Sequence, residues 1–115
     1  MEQMNRIELR GNVGSVRIQT NNEKKMARFT LATNKAYKDR NGEPVIETTW
    51  HSVIAFEGRN VQNLDQLDKG SKVYVCGRLR IQKYTGMDGI ERNSCDVLAS
   101  KVNLIEDDDQ LEYEM

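Results

Sequence analysis

Between Lys72 and Tyr84 the residues separate by parity. Val73, Val75, Gly77, Leu79 and Ile81 fall on one side; Tyr74, Arg78, Arg80, Gln82 and Tyr84 fall on the other, with Lys72 leading and Lys83 beside them. Alternation with period two is the signature of a half-buried strand. A solvent face often carries charges of both signs, yet this one has no acid between Lys72 and Tyr84. Basic side chains neutralise phosphates, and aromatic rings offer platforms for unstacked bases. The chemistry this combination supports is capture of a polyanion.

A second set lies upstream. Trp50, Ser52, Ile54 and Phe56 share one parity, opposite Val53 and Ala55. Either set suits a core, so Trp50 alone fits a core position and a stacking surface equally well. Tyr37 sits in the basic run Lys35-Ala36-Tyr37-Lys38-Asp39-Arg40, where a buried aromatic is less expected.

Bond-making chemistry finds little to use. His51 is the only histidine, which excludes a multi-histidine metal site, and no cysteine or acid spacing completes a mixed one. Beside Trp50 in a strand, it reads as a packed or interface histidine. Cys76 and Cys95 match neither a zinc site nor a redox CxxC pair and read as small buried apolar residues. No GxGxxG, P-loop or GxSxG motif occurs, and no acid–base pair of carboxylates stands out. The sequence thus points to a binding protein without cofactor or metal, not an enzyme.

Charge is distributed unevenly. Residues 106–115 carry six acids and no base, which leaves twelve of the 18 acids and all 17 bases in residues 1–105. The body is net +5 and the tail −6, which suits a polyanion-binding body with an acidic appendage and, on charge alone, equally a solvated surface with a frayed end. No charged-then-apolar leader opens the chain, and the run Val53–Phe56 is far too short to span a bilayer, so a cytoplasmic protein is expected.

Five alternating segments must position these residues: about 6–13, Met26 to Asn34, Thr48 to Phe56, Lys72 to Tyr84, and Ile90 to Ile105. In the last, parity shifts near Ser100, which predicts a bulge. Residues 20–25, 38–44 and 85–89 read as loops. The stretch from Asn60 to Leu67 has apolar residues three or four apart and ends before Lys69-Gly70, which predicts a short helix. Five strands with one helix between the third and fourth match the OB-fold, a five-stranded Greek-key barrel in the all-β class, though a five-stranded sandwich gives a similar pattern.

Four blocks carry a family resemblance: residues 4–14, Phe29 to Tyr37, Thr49 to Phe56, and Lys69 to Arg80. In order over about residues 4–105 they resemble the strands of bacterial single-stranded-DNA-binding proteins. The resemblance implies a homotetramer of OB-folds around which single-stranded DNA wraps. It implies base stacking on Tyr37, Trp50, Phe56 and Tyr84, with Tyr37 and Tyr84 standing where the family often has tryptophan. It also implies that His51 lies at a subunit interface, with Tyr74 near the same contact region. The family usually ends in a long linker and an apolar-tipped acidic tail. Here the acidic run follows Ile105 directly, which puts recruitment of replication and repair proteins in doubt.

The sequence therefore predicts an OB domain over residues 1–105 and a short acidic tail over 106–115. Its expected role is sequence-independent binding of single-stranded DNA in replication, recombination and repair, in the cytoplasm at the nucleoid. The expected contacts are Tyr37, Trp50, Phe56, Tyr84, Lys35, Lys38, Arg78, Arg80 and Lys83. Two other roles fit the same fold: an accessory primosomal OB subunit, and an OB interaction module without a nucleic-acid ligand.

Overall fold

A computed structural model describes residues 1–105, so the acidic tail expected over 106–115 lies outside the described residues. The alternating segments form five strands: β1 (Ile7–Asn21), β2 (Lys24–Lys38), β3 (Pro44–Phe56), β4 (Lys72–Thr85) and β5 (Glu91–Leu104). They close into a barrel in the order β1-β2-β3-β5-β4. Neighbours are antiparallel except β3 and β5, which pair in parallel over Ser52–Ala55 and Asp96–Ala99. This is the all-β OB-fold expected from the element order.

Closure depends on β1, which serves two partners. Its first half, Ile7–Asn12, pairs with β4; its second half, Asn12–Asn21, pairs with β2. A break in register between Val13 and Val16 lets the strand turn this corner. The parity shift near Ser100 is also a bulge. Cys76 pairs with Lys101 and Gly77 with Ala99, leaving Ser100 extra, and its hydroxyl donates to the Cys76 carbonyl at 3.2 Å. The strands approach so closely there that a Cβ on Gly77 would lie 2.1 Å from the Leu98 carbonyl oxygen.

The inward parity supplies the core, with Phe29, Leu31, Val53, Val73 and Val75 its largest fully buried side chains. Val61, Leu64 and Leu67 complete the same cluster. The helix expected between β3 and β4 contracts to one 3-10 turn, Leu64–Gln66. Val61 is held in bridges to Gly58 and Val102, and Asn63 is left-handed at φ 61°, so α-helix cannot start there. Val61 reaches the core from its bridges, and Leu64 and Leu67 from either end of the 3-10 turn, so the apolar spacing serves burial without an α-helix.

The strands also run longer than their alternation suggested. The expected loop over 20–25 is a two-residue hairpin at Asn22-Glu23, with φ of 53° and 67°. This is the primed-turn geometry that matches strand twist. The β2–β3 ladder continues to Lys38 and Pro44.

Candidate nucleic-acid interface

Register decides which side chains share a surface. On β3, Val53 and Ala55 are buried, which turns Trp50, Ser52, Ile54 and Phe56 outward. Trp50 is 60% exposed and Phe56 59%, so the ambiguity between core and surface resolves in favour of the surface for both rings. The ladders extend this outer face across four strands. Arg28, Ile54, Leu98 and Arg78 align in one transverse row, and Thr30, Ser52, Asp96 and Arg80 in the next. Trp50 and Phe56 flank these rows along β3. Asp96 is the only acid in either row.

Each aromatic is seated differently. The Trp50 ring lies over Gly14, where a Cβ would come within 2.5 Å of the indole Cζ3 and 2.8 Å of the Thr30 hydroxyl oxygen. Thr30 is itself held, since its Oγ1 accepts from the Ser15 backbone N–H at 2.9 Å. Tyr84, 48% exposed, shares the parity of Arg78 and Arg80 and pairs with Arg92 on the β4–β5 arm. Arg92 bonds Asp88 at 2.6 Å across the arm's turn. The Ile90 backbone N–H, and then Arg92, hold the Asp88 carboxyl below the usual carboxylate range.

Not all expected contacts gather on one face. Tyr37 and Lys35 have the parity of Phe29 and Leu31, so on the β2–β3 arm they lie on the side opposite Trp50; Lys38 lies on Trp50's side. Lys83 likewise lies opposite Tyr84 on the β4–β5 arm. Arg78 is exposed and has no ion-pair partner among the described residues. Arg80 is half-buried, with Nη2 3.9 Å from Asp96 Oδ2, and its Nε has no hydrogen-bond partner among the described residues.

The two expected interface residues are separate. His51 is on the inward parity, half-buried, with Nε2 2.9 Å from the Thr33 hydroxyl oxygen. Burial pushes its pKa below 6.5, which favours the neutral imidazole. Tyr74 is on the outer parity of β4 in a groove with Glu8, Leu9, Arg10, Asn103 and Ile105. The Lys101 ammonium stands 6.0 Å from its ring centroid. Partial burial, and then the adjacent Glu8, raise the Tyr74 phenol above its ordinary pKa.

The cysteines depart from expectation: Cys76 is half-buried on the outer parity and Cys95 is exposed, so neither belongs to the core. Sequence reasoning also passed over Gly14, Arg17 and Arg28. Arg17 and Arg28 were visible as outward residues opposite the apolar parity of Ile18, Ala27 and Phe29. Gly14 gave no comparable signal, because its role is the space it leaves for Trp50. Among the described residues no three His, Cys, Asp or Glu side chains gather as a metal site, and no helix is long and apolar enough to cross a membrane.

Comparison with known proteins adds to this geometry. Residues 4–105 match the single-strand binding protein family model. The chain is 38% identical over 104 residues to the single-stranded DNA-binding protein of Xanthomonas axonopodis pv. citri, an alignment covering 89% of this chain and 58% of that protein. Identity to the protein of the same name from Neisseria meningitidis serogroup A is 34% over 105 residues, covering 89% and 60%. The chain thus spans about three-fifths of the length of these curated relatives. Among solved structures, the Plasmodium falciparum SSB in complex with ssDNA superposes with a TM-score of 0.74 at 33% identity, covering 91% of this chain and 96% of that one. A deletion mutant of the Thermus aquaticus single-stranded DNA binding protein, at 22% identity, shares the fold with a TM-score of 0.69, covering 90% and 51%.

Proposed function

The chain belongs to the single-strand binding protein family, and from that premise we propose that its outer face holds single-stranded DNA without reading base sequence. The observation that carries the reading is the exposure of Trp50 and Phe56 along one strand face crossed by arginine rows with a single acid. Bases stack on the two rings, and every base has a π-face to offer. Arg78 and Arg80 neutralise phosphates alongside. Tyr37, Lys35 and Lys38 on one projecting hairpin, and Tyr84 and Lys83 on the other, extend the path beyond the barrel. Binding of this kind protects single strands in replication, recombination and repair, with the protein in the cytoplasm at the nucleoid.

The assembly we propose is a homotetramer, with His51 and Tyr74 at subunit contacts. Glu8 and Arg10 beside Tyr74 give its groove both signs of charge, which suits a self-complementary contact between identical subunits. Sedimentation at micromolar concentration checks this, and a monomer there refutes it.

The DNA reading is tested by following Trp50 fluorescence while titrating oligo-dT and a duplex of equal length. Quenching by the single strand, weakened as salt rises, is expected. Preference for duplex, or affinity indifferent to salt, would sink it.

A further inference from the structure

Arg17 and Arg28 stand directly opposite each other across the antiparallel β1–β2 ladder. Both are exposed on the outer parity, since Ala27 and Phe29 beside Arg28 are fully buried. Directly opposed residues have Cβ atoms about 4.5–5.5 Å apart, and like charges so placed repel. Among the described residues nothing nearby relieves the repulsion. Neither guanidinium has a hydrogen-bond or ion-pair partner among the described residues. Their surroundings on this face are Gln19 opposite Met26 along the ladder, Thr30 bonded to Ser15, and Ile54 as the β3 partner of Arg28. None of these is anionic.

Two opposed cations without a counter-ion are arranged to take one from outside. We infer that Arg17 and Arg28 form a phosphate-binding pair in which two guanidinium forks close on one phosphate group of the strand. Guanidinium is suited to this because its planar donors match phosphate oxygens and it stays charged. The row that Arg28 shares with Ile54, Leu98 and Arg78 then continues onto β1, and the DNA path crosses all five strands of the barrel. Ile54 is only 3% exposed despite its outward parity, which gives the row an apolar floor between cationic ends. The inference rests on the DNA-binding reading above.

The test uses the full chain with Arg17→Gln, Arg28→Gln and the double variant. Titrated with oligo-dT by Trp50 fluorescence, the double variant is expected to bind about tenfold more weakly, the loss of a charge-assisted hydrogen bond. Its slope of log K against log salt should be shallower by about 0.7, one phosphate's share for a single strand. Each single variant should lose nearly as much as the double, because the phosphate is shared. A double variant that matches wild-type affinity and slope overturns the inference and leaves the DNA reading standing. Wild-type protein that does not bind oligo-dT overturns both. A second measurement needs no DNA. Inorganic phosphate, compared with chloride at equal ionic strength, should raise the melting temperature of the wild type more than that of the double variant. Equal responses overturn the site.

Discussion

Gly14 and Trp50 are fitted to each other: a methyl group at residue 14 would lie 2.5 Å from Cζ3 and 2.9 Å from Cη2 of the indole. The ring is 60% exposed and yet has a defined seat, because β1 presents no side chain beneath it. A half-exposed aromatic that is already positioned loses less freedom when a base stacks on it.

Gly14→Ala is therefore expected to displace the indole without emptying the core. DNA affinity should fall by up to about 1–3 kcal/mol, the range generally found for one base–aromatic stack in such proteins. The tryptophan emission of the free protein should shift. An unchanged emission spectrum with unchanged affinity would show that the ring does not depend on this seat.

Trp50→Ala and Phe56→Ala should each weaken binding by roughly 1–3 kcal/mol. Both rings are outward, so thermal stability should change little; circular dichroism melting checks this. A large drop in melting temperature would mean that the rings serve the fold more than the ligand.

The pH dependence of stability should carry the signature of His51. Burial lowers its folded-state pKa below 6.5, so the unfolded chain takes up the proton first as pH falls. Stability is full above 6.5, declines as pH drops below that value, and levels off once the folded imidazole also titrates. His51→Gln removes this titration, so the wild type should lose more stability than the variant between pH 7.5 and 5. Parallel melting curves across that range would contradict it.

Gly77→Ala should be among the most damaging single changes, because its Cβ would lie 2.1 Å from the Leu98 carbonyl oxygen and backbone must move. Overpacking typically costs about 1–3 kcal/mol, and backbone displacement at a barrel bulge belongs at or above the top of that range. Urea denaturation gives the number. A loss below 0.5 kcal/mol, well under that range, would mean the bulge yields easily.

Residues 106–115 bring six acids to a body of net +5. Covalent attachment gives them a high effective concentration at the basic face, on the order of millimolar for a short link. Salt screens such contacts over about 10 Å at 0.1 M. Truncation after Ile105 is expected to raise DNA affinity at low salt and to matter little at high salt. Titration of both forms at two salt concentrations decides; unchanged or lower affinity on truncation refutes the competition.

Some of this was legible in the sequence for plain physical reasons. The alternation from Val73 to Ile81 exposes the period of β4 because only one face is apolar, and the parity change after Ala99 marked the Ser100 bulge. β3 was opaque by the same logic. Ile54 on the outer parity and Ala55 on the inner are both buried, so apolar residues occupy both faces and parity alone cannot choose. Tyr37 was grouped with Trp50 through the family resemblance, and Lys35 through the basic run it shares with Tyr37. Beyond the barrel most of the hairpin is exposed on both faces, with Ala36 an exception, so the pattern stops reporting sides. The stretch 60–67 read as a helix because the spacing of Val61, Leu64 and Leu67 suits α and 3-10 turns alike, and the left-handed Asn63 that separates them is conformational, not compositional.

The divided loyalty of β1 has a consequence for synthesis on the ribosome. The half of β1 that joins β2 meets its partner almost as soon as it emerges, across the Asn22-Glu23 turn. The half that emerges first, Ile7–Asn12, finds its partner only at Lys72–Gly77. At roughly 5–20 residues per second, translation keeps those backbone groups waiting for several seconds. The β1–β4 seam therefore cannot close before β4 is made, only the two seams of β5 wait longer, and the nascent chain carries an open, hydrogen-bond-hungry edge until most of the protein has been made.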